Sequence, residues 1–291
     1  VAPIRGGAAR PAARLTPGLA AAALLLMGCS GAEPPTPALE RLGLVAREPD
    51  ARQAVAALLS AYGGYETWEA QGEVEYRYRF AYYGGDPQPR LVRWQRHWLS
   101  LGDDMQMRME DLDGTAPVSV SLAGDKVTLE RDGTPFDDPD KAEFNRVFGR
   151  QVRFEALLPW TILGTGCRLE WRGVKTPDEA GAVPAGPCDV VRLRFEIVSP
   201  GGGTDDWHDV YISHRSRLVE QIHSYRAAEN AYRLSVWSDH RPFDGLRVAT
   251  HREAYASDAS GARGRLDAVA DYSEVRFTPR DKPGQAADAG H

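Results

Sequence analysis

The chain has 291 residues, of which 42% are hydrophobic and 26% charged, with a formal net charge of −6. That length supports one sizeable core or at most two small ones. The acidic balance, together with the lack of any Lys/Arg block, excludes nucleic-acid binding as a function.

The N-terminal stretch reads as an export leader. Arg5, Arg10 and Arg14 form a basic start without acidic residues, and Leu15 to Met27 is a mostly apolar run. Small Gly28 precedes Cys29. The run falls short of the roughly 20 apolar residues of a membrane span, and Pro17 and Gly18 lie inside it. Leu26-Met27-Gly28-Cys29 resembles the processing box of bacterial lipoproteins. That resemblance implies removal of residues 1–28 and a membrane attachment through acylated Cys29. Ser30, rather than Asp, follows the cysteine, which by the same resemblance implies the periplasmic side of the outer membrane. Residues 29–48, with Pro34, Pro35 and Pro37, read as a lipidated tether. Residues 49–278 read as one folded domain and 279–291 as a disordered polar tail.

The first predicted helix is 49–62. Pro49 suits its first position, and Val55, Leu58, Leu59 and Tyr62 recur on one face. Gly63-Gly64 stops it. A long strand over about 71–83 puts Tyr76, Tyr78, Phe80 and Tyr82 on one side, and Glu73, Glu75, Arg77 and Arg79 on the other. Gly84-Gly85-Asp86-Pro87 is a turn. The return strand, about 90–101, presents Val92, Trp94 and Trp98 together. Met105, Met107 and Met109 form a stripe on the next strand, and strands near 116–122 and 125–131 follow.

Then the period changes. Asp138-Pro139 is an N-cap with a first-turn proline. Phe144, Val147 and Phe148 make one helical stripe, and Phe154, Leu157 and Leu158 another, closed by Pro159 and Trp160. The second half is nearly all strand, at about 167–174, 188–198, 206–213, 216–226, 231–239, 246–256 and 265–278. Val191, Leu193, Phe195 and Ile197 alternate there with charged residues. Short loops between strands imply an antiparallel meander.

If 167–174 and 188–198 form a hairpin, Cys167 and Cys188 stand about 23 Å apart along the strands, too far for a disulfide. A coil around Cys167 would leave the bond open. No CxxC or Cys/His spacing points to zinc. His208, His214 and His223 show no spacing that brings them to one metal. The acidic run Asp137, Asp138, Asp140 lacks the calcium-loop pattern.

Three features carry a resemblance to the Lol-type (LolA/LolB-like) lipoprotein-carrier fold. One is the first helix running into Ala61-Tyr62-Gly63-Gly64-Tyr65-Glu66-Thr67-Trp68 and a long aromatic strand. Another is the helical insertion ending in Leu157-Leu158-Pro159-Trp160. The last is Trp207 to Ile212 followed by Leu218-Val219-Glu220-Gln221-Ile222. The resemblance covers roughly 49–278. It implies a mainly β, α+β fold: a strongly curved antiparallel half-barrel of about 11–12 strands, with helices covering the concave face. It transfers no functional residue.

The expected cavity lining is Tyr76, Tyr78, Phe80, Tyr82, Trp94, Trp98, Met105, Met107 and Met109, since aromatics and flexible methionines suit acyl chains. Leu157, Leu158 and Trp160 are the expected lid. Each of these residues also fits ordinary core packing. No G-x-S-x-G, H-E-x-x-H, GxxxxGK or strand-linked GxGxxG motif is present, so no catalytic residue, cofactor or metal is assigned. The expected function is non-catalytic reception of acyl chains, from a lipid or a lipoprotein. The alternative is an envelope sensor with a packed cavity and a protein partner.

Overall fold

The computed structural model describes residues 45–46, 49–101, 106–113, 117–163, 167–176, 186–195 and 205–280. The leader, Cys29, Met105 and residues 281–291 lie outside these.

Helix α1 (Pro49–Ala61) buries Ala51, Ala54, Val55, Ala56, Leu58 and Leu59, a fully apolar stripe. Its C-terminus is closed by two left-handed glycines, Gly63 (φ 112°) and Gly64 (φ 87°). A short helix not foreseen from the sequence, α2 (Tyr65–Glu69), links it to the sheet.

The sheet begins with β1 (Val45–Ala46) and β2 (Gln71–Tyr82), β3 (Leu91–Ser100), β4 (Gln106–Asp111), β5 (Val118–Ala123), β6 (Lys126–Arg131) and β7 (Thr134–Phe136). Helix α3 (Pro139–Ala156) follows, then a 3-10 turn at Trp160–Leu163. Asp138 caps α3 by accepting from the Lys141 amide at 3.0 Å, with Pro139 in the first turn. The two stripes expected in this region belong to one continuous helix and its exit. The remaining strands are β8 (Cys167–Lys175), β9 (Cys188–Phe195), β10 (Trp207–Ser213), β11 (Val219–Arg226), β12 (Ala231–Phe243), β13 (Leu246–Ser257) and β14 (Arg263–Pro279).

The fourteen strands among the described residues form one sheet in the order β1-β8-β9-β10-β11-β12-β13-β14-β2-β3-β4-β5-β6-β7. Every pairing is antiparallel except β1 with β8. The dozen strands expected are present. The additions are β7 and β1, the latter formed by the last part of the segment read as a tether.

At about 4.8 Å per strand a flat sheet of this size would span roughly 60 Å, far more than two helices can cover. The sheet therefore curves into an open half-barrel around them. One core joins Leu169 and Leu193 near one end of the sheet to Val120 and Leu129 near the other. Helix α1 packs on β8 and β9, and α3 on β5 and β6.

The hairpin reading of the cysteines holds. Cys167 pairs with Phe195 and Cys188 with Lys175, at opposite ends of β8–β9 and too far apart to bond to each other, and both side chains are buried.

Candidate functional site

Cross-strand register decides which side chains face the concavity. Tyr76 pairs with His97, Tyr78 with Gln95 and Tyr272 with Tyr78, so these share one face. Tyr76, Tyr78, His97 and Tyr272 are buried there in mutual ring contact, with centroids 4.8–6.5 Å apart. Phe80 is half-buried against Phe148 of α3. Met107 and Met109 are buried in the same core. Leu157, Leu158 and Trp160 are buried beneath the helical cover, and Trp160 stacks on Trp68 of α2 at 5.0 Å.

Three expected lining residues lie elsewhere. Trp94 pairs with Arg79 and Trp98 with Glu75, which places both on the convex face. Their rings lie beneath the guanidinium groups of Arg79 and Arg108. The concave positions of β3 are instead Gln95, His97 and Leu99. Tyr82 shares the parity of Tyr78 but reaches the strand tip, where it is 41% exposed. Met105 is outside the described residues.

Among the described residues, the concave-face side chains pack into one buried core. A small hollow lined by Trp68, Val74, Tyr76, Leu157, Leu158 and Trp160, among others, holds about 10 Å³, near the lower limit for a single water.

What fills the concavity differs along its length. The buried face of α1 is apolar throughout, whereas that of α3 is Asn145, Gly149, Val152, Phe154 and Glu155. Gly149 lies so close to β5 that a Cβ there would sit 2.8 Å from Leu122 Cδ2. Glu155 forms a buried ion pair with Arg252 of β13. Gln151 donates to Glu155 and accepts from Arg226 of β11 at 2.9 Å. Arg252 also approaches the Trp237 ring, at 5.9 Å.

Sequence reasoning missed this polar group. Its signal is visible afterwards: Arg252 stands on the concave side of its strand, and Gln151 and Glu155 are one turn apart on the helix.

Several buried polar atoms here complete no hydrogen bond: the Tyr272 hydroxyl, Glu155 Oε2, Arg252 Nε, Trp237 Nε1 and His208 Nε2, while the Tyr78 hydroxyl faces Arg252. His97 lies 3.2 Å from Tyr76 Oη and 3.0 Å from Gln95 Oε1. Burial pushes the His97 imidazole down to about 3. Burial, reinforced by Arg226, lowers His208 to about 4. Both rings are neutral at physiological pH. Burial raises the Tyr76, Tyr78 and Tyr272 phenols, so they serve only as neutral hydroxyls. Among the described residues, no group of three or more His, Cys, Asp or Glu side chains is placed to hold a metal.

A second feature sits at the tip of β2–β3. Tyr82 and Leu91 face each other across the hairpin, and Val92 and Trp94 follow. Phe144 of α3 is 51% exposed beneath the Arg93 guanidinium.

No protein-family model and no curated protein matches the chain. Several solved structures are similar to it, among them the following. A LolA superfamily protein from Nitrosomonas europaea shares 10% identity, covering 80% of this chain and 94% of that one, with a TM-score of 0.49. A DUF1329 family protein from Desulfovibrio piger shares 9% identity over 78% and 93%, with a TM-score of 0.47. A domain from Vibrio parahaemolyticus named for outer membrane lipoprotein sorting shares 9% identity over 80% and 95%, with a TM-score of 0.48. At these values no residue or ligand is carried over from them.

Proposed function

We propose that this chain is a non-catalytic binding module whose concave face takes up acyl chains, of a lipid or a lipoprotein, when α3 lifts. In this reading the protein is held on the periplasmic side of the outer membrane by acylated Cys29, and the described state is the closed one. The observation that carries it is the contrast between the two helices. The buried face of α1 is that of a core helix. The buried face of α3 carries an amide, a glycine and a carboxylate beside Val152 and Phe154, over an aromatic and methionine surface. A helix seated through polar groups leaves at lower cost than one seated through apolar area, because water can satisfy those groups once exposed. The test is native mass spectrometry of protein purified from membranes, together with titration of a fluorescent fatty acid. Retained acyl ligand, or saturable binding, is expected. A ligand-free protein that binds no probe contradicts the reading.

A second reading is an interaction module with a permanently filled cavity. The hollow of about 10 Å³ and the exposed Tyr82, Leu91, Val92, Trp94 and Phe144 at the hairpin tip favour it. In-cell crosslinking from the 84–90 turn separates the two: one recurrent protein partner supports the second reading.

A further inference from the structure

We propose that the concave site takes an amphiphile with an anionic head, a carboxylate or a phosphate, whose head replaces Glu155 on Arg252. The proposal rests on the acyl-binding reading above and adds the chemistry of the head.

Arg252 belongs to the sheet, but its counter-ion does not. Glu155 is carried by α3, so lifting the cover strips the guanidinium of its partner. The Arg252 side chain is 6% exposed beneath α3; once the cover lifts, its guanidinium has only water in place of the carboxylate, and an anion is the stronger partner. Even with α3 seated, Arg252 Nε and the Tyr272 hydroxyl complete no hydrogen bond, and the Tyr78 hydroxyl beside them faces Arg252, leaving its own O–H free to donate. The sheet therefore offers a guanidinium and two phenol hydroxyls at one spot, more donors than the single carboxylate of Glu155 satisfies. That donor set suits an anion with several acceptor oxygens. Phe80, Phe148 and the buried methionines adjoin it as apolar surface for a tail. In the closed state Glu155 stands where the ligand's head would stand.

The experiment compares dodecanoate, dodecyl phosphate and dodecanol by calorimetric titration of the full chain. Both anions are expected to bind roughly tenfold more tightly than the alcohol, and the tighter of the two identifies a fatty-acid or a phosphate-headed source. Glu155→Gln, which removes the internal competitor and loosens the cover, is expected to strengthen binding of all three probes, and of the two anions roughly tenfold more than of dodecanol. Arg252→Gln should erase the preference. Because that variant leaves Glu155 buried and unpaired, the double variant Glu155→Met, Arg252→Met is measured beside it. It removes both charges at once, and it should show no preference for the anions over dodecanol. Equal binding of all three probes, or a preference that survives the double variant, overturns the head-group assignment and leaves the acyl reading standing. Failure of all three to bind overturns both.

Discussion

Gly63 shows how closely a single residue can be specified. Its φ of 112° lies where side chains are rarely found, and a Cβ there would meet the Gly245 carbonyl oxygen at 2.2 Å. It closes α1 against the β12–β13 turn, where the Arg247 amide donates to the Tyr62 carbonyl at 2.9 Å. Gly63→Ala is expected to destabilise the domain by about 2 kcal/mol or more. Gly124→Ala, also left-handed (φ 59°) but with nothing within 4 Å, is expected to cost about 1 kcal/mol. Urea midpoints of the two variants check the difference. The buried histidines give a pH dependence. Unfolded, His97 and His208 titrate near 6.5; folded, they take a proton only near 3 and 4. Below about 6.5 the unfolded chain binds more protons, so stability falls with pH. Each ring contributes up to about 1.4 kcal/mol per pH unit until its folded value is reached. Urea midpoints at pH 7.5, 6 and 5 that do not fall would contradict this. These histidines also explain why the lining of β3 was misjudged from sequence. Hydropathy favours Trp94 and Trp98 for the interior. Register with β2 instead buries Gln95 and His97, which tolerate burial because they bond to each other, to Tyr76 and to Asp111.

The strands were largely legible, because alternation such as Val191 and Leu193 against Arg192 and Arg194 fixes both period and buried face. Helix α3 was legible in position through Asp138-Pro139, but not in its polar underside. Gln151 and Glu155 look like solvent-facing residues until Arg226 and Arg252 arrive from strands 75 and 97 positions away. The short pieces β1, β7 and α2 carry too few residues to show a period. The contrast between helices yields a stability prediction. Glu155→Ala, which strands Arg252, is expected to cost about 3–5 kcal/mol, whereas replacing both partners with methionine is expected to be close to neutral. Chemical denaturation of the three proteins measures this; a double variant as unstable as the single one would mean that the pair is not the local determinant. The β8–β9 hairpin yields another prediction. Cys167 and Cys188 sit at its opposite ends, so both thiols are expected to react with a thiol reagent only after unfolding, without prior reduction.

Across the described residues, an open sheet, antiparallel but for one pair, curves around α1 and α3. Curvature follows from the need of so many one-faced strands to bury that face. The closed concavity leaves room for about one water, so acyl binding requires movement of the cover. Helix α3 provides the means to test this, because Gly149 lies against Leu122 of β5. A Gly149→Cys, Leu122→Cys pair would tie cover to sheet by a disulfide. The decisive measurement is titration of a fluorescent fatty acid into this variant, reduced and oxidised. The account predicts saturable binding when reduced and its loss when oxidised. Undiminished binding to the oxidised, locked protein would contradict it.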